Sequence, residues 1–329
     1  MSAVRLLVTD VSAGAFVERV LKNPVTEQFQ ILTPEAEDEE ALLSVVPDAD
    51  AILCYKANLP GSVIRAGDSL RFIQKHGLNC KNIDVAAAAE RNIPVGTQVL
   101  LRSMTVAEQA MALMLACARK VVPGHRAVSG ADYVGMDVEP IRTSQWNFKS
   151  NWVQIEGMNE LFGTKVGIIG LGDIGMEIAK RCLAFGMEIY YYQRSAHSKD
   201  VEATFEASYL PLNELLAAAD YLVLSLPHTP ESEGLIGSAQ LDRLKREATL
   251  INVARGAIVD ENALVEALRG GGIAMAGLDV YQMEPLPEFS PLRELPNVVL
   301  LPHTGGGSYR AWDIDIPASL NNVRRFFEG

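Results

Sequence analysis

The sequence predicts an α/β chain made of two parallel-sheet domains. Three observations carry that prediction. Short β-branched runs alternate with helical segments along most of the chain. The alternation comes in two sets, and only the second opens on a glycine fingerprint. The length of 329 residues exceeds the usual span of a single core.

The first set places buried strands at "VRLLVTD" (from Val4), "AILCY" (from Ala51), "LRFIQ" (from Leu70) and "IPVGT" (from Ile93). The helical stretches "DEEALLSVV" and "VAAAAERN" separate them. The acidic run "PEAEDEE", Pro34 to Glu40, reads as a solvated helix start. The second set places strands at "KVGIIG", "EIYYY", "YLVLSLP", "ATLINVA", "IAMAGLDV" and "NVVLLPH", with "NELLAAA" and "ENALVEALRG" as the clearest helices. Ser129 to Phe162 breaks the pattern. It is rich in Trp, Tyr, Asn and Gly with weak periodicity, and reads as a long functional loop.

Composition bounds the partners. A net charge of −12 argues against nucleic acid and anionic membranes, both of which select basic patches. No stretch reaches the roughly 20 apolar residues of a membrane span. "VAEQAMALMLACA" is too short and carries Glu108 and Gln109. The N-terminal strand does not read as a signal peptide. Cys54, Cys80, Cys117 and Cys182 are widely spaced, so reduced thiols and a cytoplasmic location are expected, with no metal.

Gly170, Gly172 and Gly175 stand in G-x-G-x-x-G spacing after an apolar strand. They begin a helix with Ile174, Ile178, Cys182 and Leu183 on one face. Gly170 permits the tight turn, Gly172 lets a pyrophosphate approach the backbone, and Gly175 lets helix and strand pack closely. This is a dinucleotide site by sequence. About 20 residues further on, such sites place an Asp or Glu that accepts from the ribose 2′-hydroxyl. Here the chain has Gln193, Arg194 and Ser195. Losing the carboxylate removes repulsion of a 2′-phosphate, and Arg194 and Ser195 can donate to one, so NADP is favoured over NAD.

Three further strand ends carry chemistry. Arg255 follows "INVA", Asp279 and Glu284 lie in "GLDVYQMEP", and His303 follows "NVVLLP". A His, a carboxylate and an Arg at the ligand-binding ends of strands form an acid–base site beside an oxyacid clamp. A lone His would read as structural and a lone Arg as a surface group. Glu284 before Pro285 could read as a turn residue and Asp279 as a loop cap. Their joint occurrence outweighs those readings.

With these residues in view, the sequence resembles the D-isomer-specific 2-hydroxyacid dehydrogenases. The likeness covers nearly the whole chain: "KNID", "TVAEQAMALML", "GLGDIG", "LPHTPES", "NVARGAIVDENAL", "GLDVYQMEP" and "PHTGG", in family order. The resemblance implies two Rossmann-like/flavodoxin-like parallel-sheet domains with the active site in the cleft between them. Residues 1–102 and 302–329 would form the substrate domain and 103–301 the dinucleotide-binding domain. It also implies a small 2-oxo or 2-hydroxy acid such as glyoxylate or hydroxypyruvate, NADP or NAD, and a homodimer.

By the same resemblance, Arg255 binds the substrate carboxylate and 2-oxo oxygen, a task suited to its planar fork. His303 is the general acid–base, and Glu284 hydrogen-bonds it and favours its charged form. Asp279 holds the nicotinamide carboxamide. Further cofactor contacts fall to Asp173, Ile174, Leu226, Pro227, Val253, Ala254 and Gly305, together with Arg255 and His303. Leu78 and Asn79 meet the substrate carboxylate. The chain departs from the family at Asn79, where Gly is common, and near Lys81, where an acidic residue is common. The insert with Trp146 and Trp152 is longer than usual, and "PHTGGGS" is more glycine-rich.

The remaining candidates read more blandly. His228 is divided between lining the adenosine pocket and a solvated loop. His76, Lys75 and Lys81 lie near the substrate loop and could aid anion binding, but read first as surface groups; Tyr309 and Trp312 read as packing residues rather than substrate contacts. His125 and His197 carry no motif context. Two other activities stay open on these residues. One is a nucleotide-sensing binding protein like the family's corepressors, disfavoured because no disordered tail follows "NNVRRFFEG". The other is a formate or phosphite dehydrogenase, the former typically with Gln at the place of Glu284.

Overall fold

The computed structural model describes residues 3–12, 14–136, 138–308 and 310–329. The chain divides into two compact units, residues 1–103 with 308–329, and 104–307.

The first unit carries five strands: β1 (Val4–Val8), β2 (Phe29–Leu32), β3 (Ala51–Cys54), β4 (Phe72–Lys75) and β5 (Val95–Gly96). They pair in parallel in the order β2-β1-β3-β4-β5. The strand period of two sorts their side chains. Leu7, Ile52, Cys54 and Ile73 enter one core, and Leu6, Val8, Ala51, Leu53 and Phe72 enter the other. The C-terminal helix Ala311–Glu328 covers the second core with Ile316, Leu320 and Val323. The acidic run behaves as expected: Asp38 caps the helix Glu39–Val45 by accepting from the Ala41 amide at 2.9 Å.

The second unit carries seven strands: β6 (Lys165–Ile169), β7 (Glu188–Tyr192), β8 (Ala207–Tyr209), β9 (Tyr221–Leu224), β10 (Thr249–Asn252), β11 (Met275–Leu278) and β12 (Val298–Leu300). All pairings are parallel, in the order β12-β11-β10-β9-β6-β7-β8. One face buries Val166, Ile168, Tyr191, Val223 and Ile251, and the other buries Ile169, Leu222, Leu224, Leu250 and Leu278. Adjacent β6 and β9 mark the point where the strand order reverses, the place at which open sheets of this kind bind ligands.

β2 and β8 lie outside the strands expected from the sequence pattern. Residues 302–307 were expected with the C-terminal tail. They belong to the second unit, because buried Asp279 accepts the amides of Thr304 (3.0 Å) and Gly305 (2.8 Å). Residues 138–162 form no helix or strand. In that insert Trp146 is exposed, and Trp152 stands edge-on to Tyr133 with ring centroids 4.8 Å apart. Burial pushes the Cys54, Cys117 and Cys182 thiols up to about 12, leaving them protonated at neutral pH. Among the described residues no helix is long and apolar enough to cross a membrane, and no cluster of His, Cys, Asp or Glu is placed to hold a metal.

Candidate active site

The glycine turn is built by close approach. Gly170 has φ +96°, and a Cβ there would stand 2.9 Å from the Leu226 backbone. A Cβ on Gly175 would stand 2.2 Å from the Gly170 carbonyl oxygen, so only glycine lets the helix Asp173–Ala184 seat this close to its strand. Gly172 differs. Its Cβ would meet nothing within 4 Å, and no side chain caps the helix it precedes. This leaves space beside Gly172 at the N-terminus of the helix Asp173–Ala184, the kind of place that suits a pyrophosphate. Leu226, two residues past β9, packs on this turn at Gly170, and Pro227 follows it in the chain. Gln193, Arg194 and Ser195 follow β7 directly, with Arg194 and Ser195 exposed. The Gln193 amide donates to the Ser195 carbonyl at 2.8 Å, so it braces its own turn.

The three polar residues leave the ends of β10, β11 and β12, which are neighbours in the sheet. Val253 and Ala254 are buried and Arg255 is exposed, its guanidinium donating to the Ala254 carbonyl at 2.5 Å. Asn252 holds this turn from inside, accepting from the Ala254 amide (3.0 Å) and donating to the Arg255 carbonyl (3.1 Å). Gly256 then presses on the next segment: a Cβ there would lie 1.8 Å from the Tyr281 carbonyl carbon.

His303 Nδ1 lies 2.6 Å from Glu284 Oε2, and Glu284 Oε1 accepts from the Tyr281 amide at 3.1 Å. Burial pushes the Glu284 carboxyl up. The His303 hydrogen bond, the Tyr281 amide and the charges of His303 and Arg255 outweigh it, and the carboxyl ends below its ordinary value. Glu284 is thus an anion at neutral pH, so Nδ1 carries the proton and Nε2 is left to exchange one. His303 has φ +55°, a left-handed conformation costly for a side-chain-bearing residue. Asp279 holds it there through the Thr304 and Gly305 amides, and Gln109 donates to both Asp279 (2.9 Å) and Thr304 (3.0 Å). A cavity of about 770 Å³ opens beside His303 and Glu284, walled also by Tyr281, Leu286, Arg293 and Leu300.

A family model for the NAD-binding domain of the D-isomer specific 2-hydroxyacid dehydrogenases matches residues 111–305. The chain belongs to that family. It is a D-2-hydroxyacid dehydrogenase, transferring hydride between a nicotinamide dinucleotide, NAD or NADP, and a 2-oxo or 2-hydroxy acid. It is 36% identical over 272 residues to the glyoxylate reductase of Korarchaeum cryptofilum, covering 82% of this chain and 77% of that protein. It is 35% identical over 313 residues to the glyoxylate reductase of Pyrococcus furiosus, covering 93% and 89%. Among solved structures it resembles the NADPH-dependent glyoxylate/hydroxypyruvate reductase of Sinorhizobium meliloti in complex with NADP and malonate. That match has a TM-score of 0.57 and 30% identity, and covers 99% of this chain and 94% of that one.

Leu78 and Asn79 belong to the dehydrogenase's first unit, in the loop after β4. The Asn79 side chain turns back on this loop and accepts from the Lys81 amide at 3.0 Å. The surface role expected for Lys75 and His76 is corrected: both are buried, because they continue the interior strand β4. His76 bonds Ser319 at 2.9 Å and stacks on Trp312. Burial, then the Lys75 charge, lowers its pKa to about 4, so it is neutral. Tyr309 lies outside the described residues. His228 is an exposed loop residue 3.8 Å from Glu233.

Sequence reasoning missed Gln109 and Asp10. Buried Asp10 accepts the amides of Tyr55 (2.6 Å), Lys56 and Ala57 (2.9 Å), fixing the loop after β3. Gln109 lies inside the motif "TVAEQAMALML", whose position in the family order was its signal. Asp10 lies two residues past β1, where a buried carboxylate carries no spacing signal.

Proposed function

We propose that this dehydrogenase reduces glyoxylate or hydroxypyruvate, with NADPH favoured over NADH. The observation that carries the acid–base assignment is the 2.6 Å His303–Glu284 pair at the sheet end that also presents Arg255 and the glycine turn. Relatives named glyoxylate reductase, and a solved NADPH-dependent relative, support the substrate and cofactor. The missing carboxylate after β7 supports the 2′-phosphate reading, in which Arg194 and Ser195 are donors and Gln193 braces them.

When bound, a nicotinamide dinucleotide would supply the hydride. Arg255 receives the substrate carboxylate and 2-oxo oxygen with its two-pronged fork. His303 Nε2 gives a proton to that oxygen, and Glu284 keeps the ring oriented by holding Nδ1 at 2.6 Å. Asp279 would meet the nicotinamide carboxamide as well as anchoring the His303 loop. Gly170, Gly172, Asp173, Ile174 and Gly175 would hold the pyrophosphate, and Leu226, Pro227, Val253, Ala254 and Gly305 would line the cofactor's path. The loop at Leu78 and Asn79 offers backbone donors to the substrate carboxylate. In this reading the first unit binds substrate, the second binds cofactor, and the protein works in the cytoplasm as a homodimer.

The test is a kinetic comparison of NADPH and NADH across a panel of 2-oxo acids. A higher kcat/KM with NADPH and with glyoxylate or hydroxypyruvate is expected. A preference for NADH, or turnover confined to other acids, overturns the corresponding half. Gln193→Asp should move the preference toward NADH.

A further inference from the structure

His197, which no motif singled out, occupies a telling position at the end of the turn that carries Gln193, Arg194 and Ser195. Its Nε2 lies 2.7 Å from the carbonyl oxygen of Leu171, inside the glycine turn. A carbonyl only accepts, so Nε2 is the donor. The His197 backbone amide donates to Tyr191 Oη at 2.7 Å, and Tyr191 Oη donates to Glu202 at 2.9 Å. Glu202 in turn pairs with Lys199 at 2.6 Å. Tyr191 is fully buried, so this chain of bonds starts from a fixed post in the core.

The other end of the turn is held too. Gln193 donates to the Ser195 carbonyl, and the Gly170 amide donates to the Tyr192 carbonyl at 2.9 Å. The exposed residues Arg194 and Ser195 therefore sit between two anchored ends. One anchor, His197, reaches directly to the loop that would hold the pyrophosphate.

We propose that His197 is a positioning residue for cofactor selectivity: by tying the 193–195 turn to Leu171 it fixes where the 2′-phosphate of NADPH is met. The proposal rests on the reading of Arg194 and Ser195 as 2′-phosphate donors. Without the tie, the turn must be ordered when the cofactor binds, and that entropy loss falls on the binding step. NADH has no group for this turn to grip, so its binding is affected less. The glycine turn keeps its own shape through the Gly170–Leu226 and Gly175–Gly170 contacts.

The experiment measures Kd for NADP⁺ and NAD⁺ by titration calorimetry on the full chain, alongside kcat at saturating NADPH and a melting curve. His197→Leu is expected to weaken NADP⁺ about tenfold and NAD⁺ less than about threefold, with kcat within about twofold. His197→Gln, whose amide can still donate to Leu171, should recover most of the loss. Tyr191→Phe removes the acceptor for the His197 amide while keeping the ring, and should weaken NADP⁺ by about threefold. Equal weakening of both cofactors, no weakening, or no recovery by Gln overturns the proposal. A wild-type chain that does not prefer NADP⁺ removes the 2′-phosphate reading itself. A preference that His197→Leu leaves intact removes only the role of His197.

Discussion

The loops that present Arg255 and His303 do the same task by different physics. Each aims a polar side chain off the end of a parallel strand, and each is held by the segment that follows β11, the strand between theirs. The Arg255 loop is held by shape: Gly256 packs backbone to backbone on Tyr281, with no room for a single extra carbon. The His303 loop is held by charge: Asp279 collects two amides to keep His303 at φ +55°, and Glu284 collects the imidazole. A steric hold fails abruptly, because backbone atoms cannot move aside. An electrostatic hold weakens in steps as charge and hydrogen bonds are removed.

Four substitutions test that contrast, from the largest expected effect to the smallest. Gly256→Ala drives a Cβ into the Tyr281 backbone and is expected to cost at least about 3 kcal/mol, with activity lost. Denaturant unfolding checks it, and a variant of near-normal stability would mean that the loops are not in fact locked together. Asp279→Asn keeps the volume but sets an amide donor against a backbone donor. The fold should survive while kcat/KM falls about 100-fold, because His303 loses its anchor. Unchanged kinetics in a folded Asp279→Asn would refute the electrostatic hold.

Glu284→Gln tests the second charge. Because the Glu284 carboxyl lies below its ordinary value of 4.5, the pair's stabilisation is present above that value and disappears as pH falls through the lowered one. At neutral pH the pair is intact, so Gln should cut kcat/KM by about 30-fold and abolish the low-pH loss of activity that protonation of Glu284 brings. Unchanged kinetics with the same low-pH limb would count against the pairing. Gln109→Leu removes only the outer support of Asp279 and Thr304, and is expected to lower kcat about fivefold with little change in melting temperature. A loss as large as that of Asp279→Asn would show the support to be as important as the anchor.

Much of the site was legible because its signals are local. Glycine spacing, an apolar run before each polar residue, and the order of the motifs are properties of neighbouring residues. The strands that escaped notice, β2 ("FQIL") and β8 ("ASY"), are edge strands. Edges are covered on fewer sides, so their residues are short in number and mixed in polarity. Asp10 escaped because its partners lie 45 to 47 residues away. Gln109 escaped because its partners lie 170 and 195 residues away. His197 reaches Leu171 across 26 residues.

The sequence by itself determined the fold class, the family, the glycine turn and the three polar residues at the strand ends. Periodicity and spacing encode the fold class, the glycine turn and the strand-end residues directly, since each follows from how adjacent residues fill a strand, a turn or a helix face; the family followed from the resemblance of whole motifs in order. Only the tertiary structure decided that residues 302–307 belong to the second unit, that His303 is held in a left-handed backbone by Asp279, and that His197 ties the 193–195 turn to the glycine turn. Those facts depend on which distant groups meet, and hydrogen bonds between buried or half-buried partners take their identity from packing, not from neighbours in the chain.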